Sequence, residues 1–325
     1  MKLCVTGGAG YIGSVVVELL VQKGHDVTIL DNLSTGHRDA VPAECRLIEG
    51  DIRDRAALDR ALGDDTDAVL HFAALSIVGD SVSDPLSYFD NNVGGSVSLL
   101  RAMESFGIRK FVFSSSAAVY GAPRRLPIVE TEQCDPTNPY GTTKLMIETV
   151  LDASRRAWGL SYVALRYFNA GGSTERCGED HRPETHLIPV VLDTAQGRRE
   201  KFTIFGDDYD TADGTCIRDY IHVLDLAEAH VLALGVVDDG FSGPLNLGSE
   251  DPFTVLQVVK TTETVTGRQI QFETGPRRPG DPPALLASSK KVAEVLGWRK
   301  RHSALDEIVR SSWQWRLAHP DGYDS

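Results

Sequence analysis

Residues 2–13 read K-L-C-V-T-G-G-A-G-Y-I-G, an apolar run that ends in a loop with glycines at positions 7, 10 and 13. A pyrophosphate can approach a backbone closely only where no Cβ intervenes, and the amides at the start of a helix carry a partial positive charge that holds it. Glycine-rich turns also occur as simple tight connections. Between an apolar strand and an amphipathic helix, this spacing predicts a dinucleotide-binding loop.

The first half of the chain alternates short apolar runs with amphipathic stretches, which is typical of βα units that build a parallel sheet. The predicted strands are residues 2–6, 26–30, 46–49, 68–72, 110–114 and 161–166. The predicted helices are residues 12–23, 55–62, 85–106 and 140–158, where apolar residues recur every three or four positions. The predicted fold class is α/β, with a doubly wound parallel sheet of the Rossmann type.

After about residue 171 the pattern changes to longer loops with more proline. Predicted strands there are residues 245–247 and 270–272, and predicted helices are 225–234, 254–266, 289–296 and 305–318. We interpret this part as a smaller C-terminal α/β region that covers a substrate. The predicted division is a dinucleotide-binding domain at 1–170 and a mainly substrate-binding region at 171–325, with some crossover of the chain between them.

The composition, with 42% hydrophobic and 24% charged residues in 325, is that of a globular protein with a full core. The net charge of -13 leaves no basic surplus for phosphates, so no nucleic-acid partner is expected. No apolar run has the length of a signal-peptide core or a membrane span, which favours a cytoplasmic protein without membrane contact. The five cysteines are scattered and never spaced as C-x-x-C, so neither a disulfide framework nor a metal site is predicted.

Two acidic residues follow predicted strands. Asp31 stands 18 residues beyond Gly13, near the distance at which a carboxylate meets the adenosine ribose hydroxyls and repels a 2′-phosphate. This favours NAD over NADP, although Asp31 could also serve only the turn that follows it. Asp51 could bond the adenine amino group or act as the N-cap of the next helix.

Tyr140 and Lys144 are four residues apart in N-P-Y-G-T-T-K, which places both side chains on one face of a helix. A neighbouring ammonium and a positively charged nicotinamide stabilise a phenolate, and lowering the pKa of the phenol from about 10 to about 7 requires roughly 4 kcal/mol. We expect Lys144 to lower the pKa of Tyr140 in this way. An isolated Y-x-x-x-K pair could instead be an ordinary surface pair.

The chain resembles the extended short-chain dehydrogenase/reductase superfamily and, within it, UDP-glucose 4-epimerases, nearly from end to end. The motifs that carry the resemblance are T-G-G-A-G-Y-I-G at 6–13, L-D-N-L at 30–33, G-D-I-R at 50–53, H-F-A-A at 71–74, D-N-N-V at 90–93, F-S-S-S-A-A-V-Y-G at 113–121, N-P-Y-G-T-T-K at 138–144, R-Y-F-N at 166–169 and R-D-Y-I-H-V at 218–223. Segments 276–281, 204–209 and W-x-W at 313–315 look more specific to the epimerases.

The resemblance implies roles for three residues. Tyr140 takes the proton of the sugar 4-hydroxyl, Lys144 tunes that phenol and holds the nicotinamide ribose, and Ser116 bonds the reacting oxygen. Only the resemblance selects Ser116 from its run of three serines, which could otherwise be a capped loop.

It also implies NAD as cofactor and a UDP-sugar as substrate. The implied cofactor residues are Gly7, Gly10, Tyr11, Ile12, Gly13, Asp31, Asn32, Asp51, Ile52, Phe72, Ala73, Asn91, Ser114, Tyr140, Lys144 and Tyr167. The implied substrate residues are Ser116, Tyr140, Phe168, Asn169, His186, Leu187, Thr203, Phe205, Arg218, Tyr220, Arg278, Asp281 and Leu285. The expected reaction inverts C4 of the sugar: hydride leaves for tightly held NAD, the resulting 4-keto sugar turns, and hydride returns to its other face.

Three residues depart from the pattern of the family. Ser76 stands where many epimerases have a lysine near the cofactor phosphates, and His186 where they often have asparagine. Leu285 is intermediate between the tyrosine of enzymes restricted to plain hexoses and the smaller residue of enzymes that accept N-acetylhexosamines. The preference for the 2-substituent therefore stays open.

Rival functions are a nucleotide-sugar 4,6-dehydratase, a 4-epimerase of another UDP-sugar and a non-catalytic NAD-binding redox sensor. Dehydratases typically carry Thr-Asp-Glu where this chain has Ser116-Ala117-Ala118, and sensors tend to lose the Tyr and Lys that are present here. Uronate or pentose substrates stay open. By resemblance we expect a homodimer with a four-helix interface built from residues 85–106 and 140–158.

Overall fold

The computed structural model describes residues 1–278 and 282–323. The strands are β1 (Lys2–Thr6), β2 (Asp26–Asp31), β3 (Arg46–Glu49), β4 (Ala68–His71), β5 (Lys110–Ser114), β6 (Ser161–Tyr167), β7 (Asn169–Gly171), β8 (Phe202–Phe205), β9 (Ile217–His222), β10 (Ser242–Leu247), β11 (Pro252–Thr254), β12 (Phe272–Gly275) and β13 (Ala284–Leu285). The α-helices are α1 (Tyr11–Gln22), α2 (Arg55–Ala61), α3 (Val78–Ser83), α4 (Pro85–Tyr88), α5 (Gly95–Ser105), α6 (Pro139–Trp158), α7 (Leu187–Gln196), α8 (Val223–Asp238), α9 (Val255–Thr266), α10 (Lys290–Leu296) and α11 (Leu305–Ala318).

Seven parallel strands form the main sheet in the order β10-β6-β5-β4-β1-β2-β3. Apolar side chains bury both faces of this sheet in two separate core clusters, as expected for parallel strands covered by helices on each side. The predicted Rossmann-type fold class is confirmed. The strand order reverses its direction between β1 and β4, which is where such folds bind their ligands.

The predicted elements of the first half are confirmed to within one residue, with one exception. The helix predicted over residues 85–106 is divided into α4, a π-helical segment at Phe89–Gly94 and α5. Within the π-helical segment, the buried Asn92 amide accepts a hydrogen bond from the Leu75 backbone N–H at 2.8 Å and donates to the Leu75 carbonyl at 3.0 Å. The irregular turn thereby fixes the loop that follows β4.

The strand predicted at residues 245–247 lies in the main sheet, not in the smaller region. It begins at Ser242 and pairs with β6 as β10. The helix predicted at 225–234 extends over Val223–Asp238 as α8 and packs on the same core as α1. The chain therefore returns to the main sheet after residue 171, while the division into two domains stays a prediction.

Helices α7, α9 and α11 and strands β8 and β9 form a smaller unit with its own core, whereas α10 packs on the core of the main sheet. Strand β9 pairs with β7, β11 and β13, and β8 pairs with β12. Sequence analysis did not predict α7, β8 or β9, whose short apolar runs lie among proline-rich and glycine-rich loops. In the part of the chain that the structure describes, no helix has the length and hydropathy needed to cross a bilayer.

Candidate active site

The glycine loop joins β1 to α1 at the carboxyl edge of the main sheet. Gly7 has a φ of 73°, and a Cβ there would lie 2.4 Å from the backbone nitrogen of Ala73. A Cβ on Gly13 would lie 2.1 Å from the carbonyl oxygen of Gly7. The packing of the loop therefore requires glycine at both positions.

Gly10 differs from Gly7 and Gly13, because neither its backbone conformation nor its packing against the described residues requires a glycine. Its φ of -78° and ψ of 172° are open to any residue, and an added Cβ would meet only the Gly7 carbonyl oxygen, at 3.5 Å. Gly10 is the N-cap of α1, whose first backbone amides have no partner within the helix. The absent Cβ leaves room above these amides for a pyrophosphate, so the loop fits the predicted dinucleotide.

Asp31 is buried at the end of β2 and accepts hydrogen bonds from the backbone N–H groups of Ala9 and Leu33, both at 2.9 Å. Burial raises the pKa of its carboxyl group, although both hydrogen bonds oppose the shift. Asp31 therefore stabilises the turn after β2, which was the alternative role considered for it, and its bond to Ala9 also fixes the glycine loop. The turn places Asn32 in an exposed position beside it.

Asp51 is not the N-cap of α2, which is Asp54. Its carboxylate instead accepts hydrogen bonds from the Arg53 side chain at 2.7 and 2.9 Å, and the pKa of Asp51 is lowered chiefly by this contact. The side chain of Ile52 is buried in the core.

Tyr140 lies in the first turn of α6, where Asn138 caps the helix by accepting a hydrogen bond from the Gly141 N–H at 2.9 Å. The Ser116 hydroxyl lies near the Tyr140 phenol and acts against the rise in the pKa of that phenol. Ser116 follows β5 and also accepts a hydrogen bond from the Ala118 N–H at 3.1 Å, which caps a short 3-10 turn. Ser116 is therefore both a capping residue and a partner of the predicted base.

Lys144 lies one turn further along α6 and is 3% exposed. Its ammonium donates a hydrogen bond to the Ser114 carbonyl at 2.8 Å and lies 5.7 Å from the centre of the Tyr140 ring. Helical spacing thus brings Tyr140 and Lys144 together, and with Ser116 they lie near the end of β5, at the same edge of the sheet as the glycine loop.

The electrostatics of this pair differ from expectation. Burial lowers the pKa of Lys144 to about 7 and raises that of Tyr140 above its ordinary value. The predicted lowering of the phenol pKa by Lys144 is therefore wrong for the protein chain by itself, because both side chains lose hydration and neither gains a strong counter-charge.

A buried polar network lies behind these residues and was missed by the sequence analysis. Glu148, one turn after Lys144 on α6, accepts hydrogen bonds from the Ser115 hydroxyl at 2.6 Å and from Arg166 Nε at 2.9 Å. Arg166 also donates to the Tyr120 hydroxyl at 2.9 Å. The only signal in the sequence was an acidic residue four positions after Lys144 on the same helical face.

The side of the cleft predicted to hold the nicotinamide contains the ends of β4, β5 and β6. The Ser114 and Tyr167 hydroxyls are hydrogen-bonded at 2.5 Å, and burial raises the pKa of Tyr167 to about 12. Phe72 is half-buried beside Ala73. The amide of Asn91 donates to Asn92 at 3.0 Å.

The predicted substrate residues on β7, β9 and β13 are neighbours in one small sheet. Asn169 is paired with Tyr220, and Leu285 with Arg218. The Tyr220 side chain is 4% exposed and packs in the core of the smaller unit. Leu285 and Phe168 pack against a small apolar cluster that includes Ala117, the residue after Ser116.

Other predicted substrate residues lie on a separate edge of the smaller unit. The guanidinium of Arg278 stacks 4.2 Å from the centre of the exposed Phe205 ring. Thr203 lies on the same strand, β8, and its hydroxyl donates a hydrogen bond to Glu273 at 3.3 Å. Asp281 lies outside the described residues.

His186 and Leu187 lie at the start of α7. Leu187 packs against the core of the smaller unit. His186 Nδ1 lies 2.7 Å from a carboxylate oxygen of Glu179, so this nitrogen already has a protein partner. Ser76, the departure near the predicted cofactor phosphates, is exposed.

A parallel sheet with a glycine loop at its switch point, and with a Tyr-Lys-Ser cluster beside that loop, defines a dinucleotide-dependent α/β enzyme. A family model supports this assignment over residues 3–248. The chain belongs to the NAD-dependent epimerase/dehydratase family, and its cofactor is NAD.

Individual relatives are similar over the whole chain. A UDP-glucose 4-epimerase of Lacticaseibacillus casei is 49% identical over 327 residues, covering 99% of each chain. The crystal structure of UDP-glucose 4-epimerase from Brucella ovis in complex with NAD has a TM-score of 0.92 and 46% identity over 96% of this chain and 97% of that one. The enzyme of Bifidobacterium longum in complex with NAD+ and UDP has a TM-score of 0.94 and 38% identity, covering 99% and 100% of the two chains.

Proposed function

We propose that this protein interconverts UDP-glucose and UDP-galactose by inverting C4 of the hexose with tightly bound NAD. One observation carries the proposal: Tyr140, with Ser116 and Lys144 as neighbours, lies at the same carboxyl edge of the sheet as the glycine loop. Relatives named UDP-glucose 4-epimerase at about half identity supply the substrate class.

The glycine loop and the ends of β2 to β6 would hold the cofactor. Gly10 leaves room for the pyrophosphate, Asp31 would bond the adenosine ribose, and Lys144 would bond the nicotinamide ribose. Bound NAD supplies the hydride acceptor and donor for C4, together with a positive charge that favours the phenolate.

The chain's own residues move the proton. Tyr140 accepts the proton of the 4-hydroxyl and later returns it, while Ser116 donates a hydrogen bond to the same oxygen. Burial raises the pKa of Tyr140, so the free phenol holds its proton at neutral pH and becomes a base only where positive charge is close to it. Lys144, with a pKa lowered to about 7, supplies part of that charge.

The smaller unit would hold the nucleotide firmly and the hexose loosely, because a sugar that must present both faces cannot be fixed in one orientation. Arg218 and Arg278 are suited to the diphosphate, and Asn169, Leu187 and Phe205 to the remainder of the UDP group. The Nδ1 atom of His186 contacts Glu179, so Nε2 is the ring nitrogen that would bond the nucleotide.

The test is to incubate purified protein with UDP-galactose, UDP-N-acetylgalactosamine and UDP-xylose separately, without added NAD, and to follow each by NMR. We expect UDP-galactose to reach equilibrium with UDP-glucose. Conversion of the pentose or the N-acetylhexosamine alone would identify a 4-epimerase of another UDP-sugar, and no conversion with NAD present would favour a redox sensor.

The cofactor assignment has its own test in two matched glycine variants. Gly10→Ala is expected to weaken NAD binding at least tenfold with little change in the thermal stability of the NAD-free protein, because its Cβ fills only the pyrophosphate space. Gly13→Ala is expected to destabilise the fold itself, because its Cβ would collide with the Gly7 backbone. Equal NAD affinity in Gly10→Ala and wild type would contradict the assigned cradle.

The protein is further proposed to act as a cytoplasmic homodimer in galactose metabolism. Exposed apolar side chains on α3, α4 and α6 support the dimer: Val78, Val82, Leu86 and Met146. The five cysteines are all free, which suits a reducing compartment. Light scattering of Leu86→Glu tests the dimer, and an unchanged dimer mass would place the interface elsewhere.

A further inference from the structure

Four side chains from one short loop converge at a point where the proposed function assigns a role to His186 alone. Glu179, His181, Glu184 and His186 lie between β7 and α7, and one ligand atom from each lies within 4.8 Å of every other. We call these four residues the 179–186 cluster. It is the one such group of three or more potential metal ligands among the described residues.

Two distances within the cluster are close to those between the ligands of a tetrahedral metal ion. The Nδ1 atom of His181 lies 3.3 Å from Glu179 Oε1 and 3.7 Å from Glu184 Oε2, and that of His186 lies 2.7 Å from Glu179 Oε1. Zinc bonds of about 2.0–2.2 Å in a tetrahedron separate neighbouring ligand atoms by about 3.3–3.6 Å. Two of these three nitrogen–oxygen separations are thus close to a tetrahedral edge, and the third is shorter.

Two of the ligand atoms are buried and lack a hydrogen-bond partner among the described residues, namely His181 Nδ1 and Glu184 Oε2. The other carboxylate oxygen of Glu184 accepts hydrogen bonds from the backbone N–H groups of Thr185 and His186, at 2.7 and 2.8 Å, which fixes the orientation of the side chain. Native proteins rarely leave buried polar atoms unpaired, so both atoms point to a missing partner.

We propose that the 179–186 cluster binds one divalent transition-metal ion, with zinc the best match. Two imidazole nitrogens and two carboxylate oxygens suit Zn²⁺, and the two negative charges neutralise the ion. Four protein ligands with no open position make this a structural site rather than a catalytic one.

The position of the cluster indicates which part of the fold a bound ion would stabilise. The His181 ring lies edge-on to Tyr11 of the glycine loop, with ring centres 6.2 Å apart, and the Tyr11 hydroxyl donates to the Gly172 carbonyl at 2.6 Å. His186 directly precedes α7. An ion in the cluster would fix the loop between the cofactor cradle and the first residue of α7.

Without a metal, the same four residues would form an ion-pair cluster. Attraction by Glu179 is the main reason why the pKa of His186 is raised to about 10, so the cluster could hold protons in place of a metal ion. The two states are chemically exclusive at the imidazole nitrogens, because a metal-bound nitrogen cannot carry a proton.

The first test measures metal content by mass spectrometry in tag-free protein purified from zinc-supplemented cells. We expect about one zinc per chain in the wild type, a loss of at least tenfold in His181→Ala, and no change in His302→Ala. His302 is the matched control, because it pairs with a single carboxylate, Glu307, at 2.6 Å. Equal zinc in His181→Ala and wild type would overturn the proposal.

The second test needs no variant and therefore does not depend on the folding of one. Wild-type protein stripped with dipicolinate is titrated with ZnCl₂ or MgCl₂ while its melting temperature is followed, and Co²⁺ is added to a separate sample. Zinc should raise the melting temperature by several degrees where magnesium does not, and Co²⁺ should give the visible absorption of a tetrahedral site. No zinc-specific shift and no cobalt band would establish a proton-filled ion-pair cluster instead.

Discussion

The cleft around Tyr140 and Lys144 and the 179–186 cluster both contain buried polar side chains, although His186 of the cluster is exposed, and their pKa values are shifted in opposite directions. In the cleft, burial lowers the pKa of Lys144 to about 7, because Glu148 offsets only part of the lost hydration. In the cluster, two carboxylates face two imidazoles, and the pKa of His186 is raised to about 10. Burial disfavours a charge only where no partner replaces the water.

The cleft and the 179–186 cluster are therefore suited to different functions. A group held near its neutral form can exchange a proton with a substrate, whereas a group held firmly in one state by opposite charges is suited to structure. Substitutions of single buried or exposed groups distinguish the effect of the partners from the effect of burial.

The largest effect is expected for Tyr140→Phe, which removes the proton-accepting atom from the cleft and leaves the glycine loop intact. Turnover should fall by about 10²–10⁴-fold, the usual contribution of a general base, with the bound dinucleotide retained. Steady-state rates and the absorbance of NAD released on denaturation measure the two quantities. Wild-type turnover in this variant would remove Tyr140 from the mechanism.

The second-largest effect is expected for the buried ion pair of Glu148 and Arg166, which lies behind the cleft. Glu148→Gln leaves the charge of Arg166, whose side chain is 5% exposed, without its partner. We expect a loss of about 3–5 kcal/mol in the free energy of unfolding, as for other broken buried ion pairs. Urea denaturation measures it, and a loss below about 1 kcal/mol would mean that Tyr120 and water satisfy Arg166 adequately.

Lys144 should give the stability a measurable pH dependence. Its folded pKa of about 7 lies below the ordinary value of 10.5, so the unfolded chain binds more protons between these two values. The free energy of unfolding should therefore rise with pH between about 7 and 10, by up to about 1.4 kcal/mol per unit from this residue. Below pH 7 the contribution is constant.

The measurement compares urea denaturation of wild type and Lys144→Met at pH 7, 8 and 9. Other titrating groups contribute to both proteins, so the difference in slope belongs to Lys144. Parallel slopes would show that the lysine keeps an ordinary pKa in the folded protein, and the contrast with the 179–186 cluster would disappear.

The smallest effect is expected on the exposed face of the same helix. Asp152 pairs with Arg155 at 3.1 Å and with Arg156, but all three side chains are well exposed to water. Asp152→Asn should leave the melting temperature unchanged within error, since exposed pairs contribute little. A drop comparable to that of Glu148→Gln would mean that burial does not explain the difference between the two acids.

The sequence predicted the main sheet well because its signals are local. Alternating apolar runs marked β1 to β6, and the glycine spacing marked the cofactor loop. It could not show that β10 joins the same sheet, because pairing between Leu245 and Leu165 is a contact between residues 80 positions apart. The π-helical segment was also missed, since its cause is the hydrogen bonding of Asn92 to Leu75 in another loop.

The candidate site shows the same limit. Helical spacing was enough to place Tyr140 beside Lys144, but their pKa values depend on burial that no motif reports. The spacing of the cysteines predicted no metal site. The pattern E-x-H-x-x-E-x-H at 179–186 was present, yet only the folded loop shows that one ligand atom from each of its four side chains comes within 4.8 Å of the others.

Deuterium labelling can test whether hydride leaves C4 and returns to the same carbon within one closed cleft. UDP-galactose deuterated at C4 is incubated with the purified protein in ordinary water, and the product is examined by NMR and mass spectrometry. The account predicts UDP-glucose that keeps its deuterium at C4. Loss of the label to solvent, or product labelled at another carbon, would contradict it.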